Sequence, residues 1–229
     1  MSSFPGFPKE ALKFFKDIQE NNNRKWFEAN KSNYLTHVQE PAVEFVIALG
    51  ARLQAISPDI QFDTATNGSG SVMRIYRDTR FSKDKTPYKD WLSIGLWGGS
   101  KKNHHSGVYF GFSSDGGGIH IGSHEFSKEF LAAYRSAVAG VIGEELQTAL
   151  DQIGEGFTVR GEKLKTVPKE FPADHPRGEL LKHKSLYVSA PPFSASDIHS
   201  PELVEMCVKY FRKALPVHRW MVKVGEVRS

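Results

Sequence analysis

Three stretches limit what this chain can fold into: "WLSIGLW" (Trp91 to Trp97), "GVYFGF" (Gly107 to Phe112) and "GIHIG" (Gly118 to Gly122). Each alternates with a period of two, the repeat of a β-strand that is buried on one face. Leu92, Ile94 and Leu96 fall on one side, as do Val108, Phe110 and Phe112, and then Ile119 and Ile121. "SSDGGG" between the last two stretches is a hairpin signal, and links this short join strands antiparallel. "SVMRIYRD" (Ser71 to Asp78) and "LYVSA" (Leu186 to Ala190) read as further strands. The opposite face collects Trp91, Trp97, Tyr109 and His120, either as an open binding platform or as the seat of a second helix layer. The number of predicted helices favours the second layer.

Helical periodicity fills the ends of the chain. Pro8 suits a first helical position, with Ala11, Leu12, Phe15 and Ile18 on one face. Asn23 caps a second helix to about His37, and Pro41 starts a third that is apolar from Ala42 to Ala51 except at Glu44. Ser127 caps a helix carrying Phe130, Leu131, Tyr134, Val138, Val141 and Ile142. Ser200 and Pro201 open the clearest one, with Glu202 and Glu205 in its first turn and Lys209, Arg212 and Lys213 near its end. With no repeat, low-complexity tract or linker, the expectation is a single α+β domain over residues 1–229: an antiparallel meander core with N-terminal and C-terminal helices packed on it.

The composition narrows the function classes. A net charge of +4 with 24% charged residues is no polycation, so charge alone does not call for nucleic acid. The single cysteine, Cys207, permits no intrachain disulfide and sits in an apolar helical pattern. "MSSFPGFPKE" lacks the features of a signal peptide and no apolar run is long enough to cross a bilayer, so the expected home is the cytoplasm, without a membrane partner.

The charge is concentrated in "RIYRDTRFSKDKTPYKDW". Arg74, Arg77, Arg80, Lys83, Lys85 and Lys89 stand there against Asp78, Asp84 and Asp90, interleaved with Tyr76, Phe81, Tyr88 and Trp91. Whichever parity the strand at 71–78 adopts, one arginine falls among apolar neighbours and needs a carboxylate or a bound anion. Thr86-Pro87 forces a turn, so the lysines lie on a loop at the strand exit. Guanidinium forks beside lysine point charges suit phosphate or carboxylate. Three readings stand: an anionic-ligand site, a salt-bridged network pinning the strand end, and an ordinary solvated face.

This segment resembles the signature of the family known as domain of unknown function 2461, whose hallmark is RxxRDxRFxxDKxxY. Arg74, Arg77, Asp78, Arg80, Phe81, Asp84, Lys85 and Tyr88 match it position by position. The likeness continues at "NNNRKWFEANKSNY" and at "LKTVPKEFPADHPRGELLKHKSLY", covering nearly the whole chain. The resemblance implies where a site lies and supplies no activity.

Other constellations are weaker. Asp174 and His175 form either a carboxylate–imidazole pair or helix-start capping before Pro176, and capping is favoured. His120 and His124 have loose metal-ligand spacing without a supporting helix or cysteine cluster. His104 and His105, beside Lys101 and Lys102, read as a hairpin loop. No metal and no cofactor are expected. The expected site is Arg74, Arg77, Asp78, Arg80, Asp84, Lys85 and Tyr88 around a small anionic ligand, with Asp174 and His175 as secondary candidates. A nucleic-acid or protein docking surface is the less favoured partner class. The sequence names a ligand class and no reaction, and it is silent on oligomeric state.

Overall fold

The alternation at 91–122 folds as expected. The structure, a computed structural model, describes residues 4–99 and 105–226; Lys101, Lys102 and His104 lie outside them. Strands β1 (Ile60–Gln61), β2 (Leu92–Gly98), β3 (Gly107–Ser113), β4 (Gly116–Ser123), β5 (Thr158–Arg160) and β6 (Leu186–Ser189) form one sheet, antiparallel throughout, in the order β1-β2-β3-β4-β6-β5. Its register sets Ile94 opposite Phe110 and Phe110 opposite Ile119, which puts the predicted apolar set on one buried face.

Helices α1 (Lys9–Glu20), α3 (Glu40–Gln54) and α8 (Leu203–Glu226) pack on the sheet, with α2 (Arg24–Tyr34) against α1. Aromatic rings make the seam: Phe45 lies 4.5 Å from Phe110 and Phe7 4.6 Å from Phe112. Helices α4 (Lys128–Ala139) and α5 (Gly143–Asp151) brace α8, and the short α6 (Gly178–Leu181) and α7 (Ala195–Ile198) complete the α+β domain. Cys207 is fully buried, and desolvation pushes its thiol well above the usual range, as an inert core sulfur requires. No helix is long and apolar enough to cross a membrane among the described residues.

Five expectations change. The helix capped by Ser127 ends at Ala139, before Val141 and Ile142. The second and third helices do not separate at Pro41: a π turn at Leu35–Gln39 carries the helix from α2 into α3, absorbing a proline that lacks an N–H. The C-terminal helix does not stop near Lys213 but runs through Pro216 to Glu226, with the proline on the exposed side, where the lost backbone bond faces water. The segment 71–78 is not a regular strand. Val72 and Ile75 are both buried while Met73 and Arg74 are exposed, so the chain bends between them and only Val72 bridges to Ile94 of β2. Finally, among the described residues no second helix layer covers the sheet. Trp91 is 42% exposed, and a ≈ 400 Å³ cavity lies over Tyr109 and His120.

Candidate functional site

Past the bend, the basic segment closes into a hairpin. The Lys89 N–H donates to the Ile75 carbonyl at 2.8 Å, the Arg77 N–H donates to the Pro87 carbonyl at 2.9 Å, and Tyr76 bridges Tyr88. Two aspartates shape the tip as Asx turns, each accepting from the backbone N–H two residues on: Asp78 from Arg80 at 3.2 Å and Asp84 from Thr86 at 2.9 Å. The same carboxylates hold the arginines. Asp78 takes Nε of Arg80 at 3.0 Å and Nη2 at 2.7 Å, and Asp84 takes Nη1 of Arg77. Hydrogen bonds from the Arg80 side chain hold Asp78 down at about 2, and the Thr86 N–H followed by Arg77 does the same for Asp84. Lys85 donates to the Thr79 carbonyl at 2.8 Å.

The hairpin is latched to the α1–α2 turn. Asn22 grips both polar groups of one peptide residue, accepting from the Tyr88 N–H at 3.1 Å and donating to its carbonyl at 2.9 Å. The Tyr88 ring, 2% exposed, stacks on Phe27 at 4.2 Å, and Gln19 donates to Asp90 at 3.1 Å. Asn22, Phe27 and the hairpin belong to two of the stretches that carry the family likeness, 66 residues apart at Asn22 and Tyr88.

Between α2 and the hairpin lies a cavity of ≈ 400 Å³ lined by Arg24, Glu28, Tyr76, Arg77, Thr79, Pro87 and Tyr88. Arg77 spends only Nη1 on Asp84 and Thr86, so Nε and Nη2 make no hydrogen bond among the described residues. Arg24 makes no ion pair among the described residues. Glu28 brings one opposing charge, with Lys31 at 4.0 Å.

The predicted residues therefore divide. Arg77 and Tyr88 line the cavity, and Asp84 orients Arg77. Asp78, Arg80 and Lys85 build the tip; Arg80 is 77% exposed with its guanidinium on Asp78. Arg74 is exposed on the strand side of the hairpin and is absent from the cavity wall. Its charge, after burial, holds the half-buried Lys89 below the usual lysine range. Arg24 and Glu28 were missed by sequence reasoning; their signal was the second stretch of family likeness, which nothing in the sequence placed beside the first.

Asp174 and His175 do not join this site. The His175 ring accepts from the Arg177 N–H at 3.0 Å, local chain shaping ahead of α6, and no hydrogen bond or ion pair links either residue to the hairpin. Arg177 instead donates to the Val138, Ala139 and Gly140 carbonyls at the end of α4. No group of three or more histidine, cysteine or carboxylate side chains that could hold a metal occurs among the described residues. One polar chain with no sequence signal is buried far from the hairpin in sequence: His218 lies between Ser106 Oγ at 2.8 Å and Asp59 Oδ2 at 2.9 Å.

The sequence model of the family described as conserved hypothetical protein (DUF2461) matches residues 10–220. The chain belongs to that family. The DUF2461 match takes in the α1–α2 turn, the hairpin and all six strands. A search of the curated proteins found no match.

Proposed function

We propose that the cavity between α2 and the hairpin binds a small phosphate- or carboxylate-bearing ligand. The observation that carries this reading is the pair of guanidinium groups lining one ≈ 400 Å³ cavity, among the described residues Arg24 without an ion pair and Arg77 with Nε and Nη2 uncommitted. A cavity of this size suits a small molecule. Paired arginine donors match the geometry of phosphate or carboxylate oxygens. Glu28 on the same wall selects for a guest that also carries hydrogen-bond donors, such as the hydroxyls of a sugar phosphate. A nucleic-acid docking surface is the weaker reading, because the cations of the tip, Arg80 and Lys85, are turned onto Asp78 and a backbone carbonyl. A reducing cytoplasm is the home this reading assumes.

The test is thermal melting against a panel of inorganic phosphate, sugar phosphates, nucleotides and dicarboxylates. At least one phosphate compound is expected to raise the melting temperature in a concentration-dependent way. Arg24→Ala, an exposed substitution, is expected to leave the unliganded melting temperature unchanged and to weaken the response about tenfold or more, since a hydrogen bond to a charged group contributes ~1.5–3 kcal/mol. A panel with no response, or a response that Arg24→Ala leaves intact, sinks the reading.

A further inference from the structure

The sheet face turned away from the helices carries a second set of chemistry, unrelated to the hairpin cavity. One lobe of ≈ 400 Å³ is walled by Met73, Trp91, Tyr109, His120 and His124. A second lobe of ≈ 440 Å³ is walled by His124, Arg160, Glu162 and Tyr187. His124 borders both, so an imidazole stands at the waist between the two lobes. The register explains why these residues meet: Tyr109 lies opposite His120, and Arg160 opposite Tyr187. The rings sit close, with His124 4.0 Å from Tyr187 and 4.7 Å from Tyr109 between centroids.

The polar groups of the groove are unevenly committed. His120 Nδ1 is bonded to Ser189 Oγ at 2.9 Å, and its Nε2 has no partner among the described residues. Burial holds both imidazoles below the usual histidine value, so each is neutral at pH 7, His120 further pressed by His124 and Arg160. Glu162 is bound to Lys184. Among the described residues Arg160 makes one bond, from Nε to Thr158 Oγ1 at 3.2 Å, and no ion pair. The net charge left at that end is therefore positive, while the middle of the groove is neutral, aromatic and able to exchange hydrogen bonds.

We propose that this groove is a second ligand site, taking a single planar heteroaromatic ring that carries a phosphate, of the mononucleotide class. The ring packs among Tyr109, His124 and Tyr187, its edge meets His120 Nε2, and the phosphate reaches Arg160. Stacking on aromatic side chains is tolerant of base identity, and the guanidinium fits phosphate oxygens. A single nucleotide is favoured over a strand because Arg160 is the one cation lining either lobe among the described residues, whereas strand binding draws on many phosphate contacts.

The experiment is an equilibrium titration of the full chain with adenosine monophosphate, adenosine and ribose phosphate, followed by tryptophan fluorescence, since Trp91 lines the groove. Adenosine monophosphate is expected to quench the fluorescence and saturate below millimolar concentration, adenosine to bind about tenfold more weakly, and ribose phosphate to leave the signal unchanged. Arg160→Ala brings adenosine monophosphate down to the level of adenosine without changing adenosine itself. His124→Ala weakens both about tenfold. Arg160 is exposed, so Arg160→Ala keeps the wild-type melting temperature, and Arg24→Ala leaves this binding untouched. Four results overturn the proposal: no saturation by any of the four common ribonucleoside monophosphates, binding indifferent to both substitutions, tighter and steeply salt-dependent binding of a single-stranded RNA oligomer, or a second copy of the chain covering the face.

Discussion

Replacing Tyr88 with alanine is expected to lower the free energy of unfolding by about 3–5 kcal/mol, the usual range for truncating a buried aromatic side chain. The ring is 2% exposed and stacked 4.2 Å from Phe27, with Tyr76 at 5.3 Å, so its loss leaves a void between α2 and the hairpin. An aromatic pair adds ~0.5–1.5 kcal/mol beyond burial. The effect also reaches the site, because Tyr88 is the residue by which Asn22 holds the hairpin against α2. Tyr88→Phe keeps the ring and both backbone bonds, so it is expected to lose less than about 1.5 kcal/mol, in the range of shape-conserving swaps. Urea unfolding of the two variants measures this. A loss below about 1 kcal/mol for Tyr88→Ala would show that the hairpin is not anchored by this ring.

His218→Ala is expected to cost about 3–5 kcal/mol, the cost of breaking a buried polar network by removing one partner. The imidazole is fully buried on α8 and ties that helix to Ser106 at the entry to β3 and to Asp59 just before β1. Its loss strands the Ser106 hydroxyl, itself fully buried. The same network sets an acid limit. Burial raises the Asp59 pKa, but bonds from His218 and from Ser57, whose hydroxyl lies at 2.5 Å, override it and bring it to about 2. A folded-state value below the unfolded one of about 3.9 means that the carboxylate stabilises the fold above that pH. That contribution is lost as the pH falls from about 4 through about 2. Urea midpoints collected over this window are expected to fall steeply for the wild type and less steeply for Asp59→Asn. Identical slopes would remove Asp59 from the acid response.

The sheet was legible because its strands are long, alternate strictly and are joined by short turns; Leu92, Ile94, Phe110 and Ile119 each landed on the buried face. The segment at 71–78 was not: it bends between Val72 and Ile75, and its second half pairs with Pro87–Lys89 in a hairpin that Asn22, far away in sequence, latches at Tyr88. The bare face was misjudged for a related reason: counting helices does not say which side they pack on, and here α1 and α3 both set aromatic rings on the face that carries Phe110 and Phe112. The basic motif was legible as a cluster. How its charges divide was not, because the short Asx turns that place Asp78 on Arg80 and Asp84 on Arg77 are decided by tip geometry. Arg24 could be found only once the fold brought the α1–α2 turn to the hairpin. Ser106, His218 and Asp59 are likewise scattered along the chain with no spacing that links them.

The most direct measurement is isothermal titration calorimetry of a sugar phosphate, glucose 6-phosphate, into the wild-type chain and into Arg24→Ala. Heat of binding at one site per chain, with affinity reduced about tenfold or more when Arg24 is removed, is the predicted result. No heat in the wild type, or the same isotherm in both proteins, would contradict an anion site between α2 and the hairpin and leave the charged cluster as a brace for the fold.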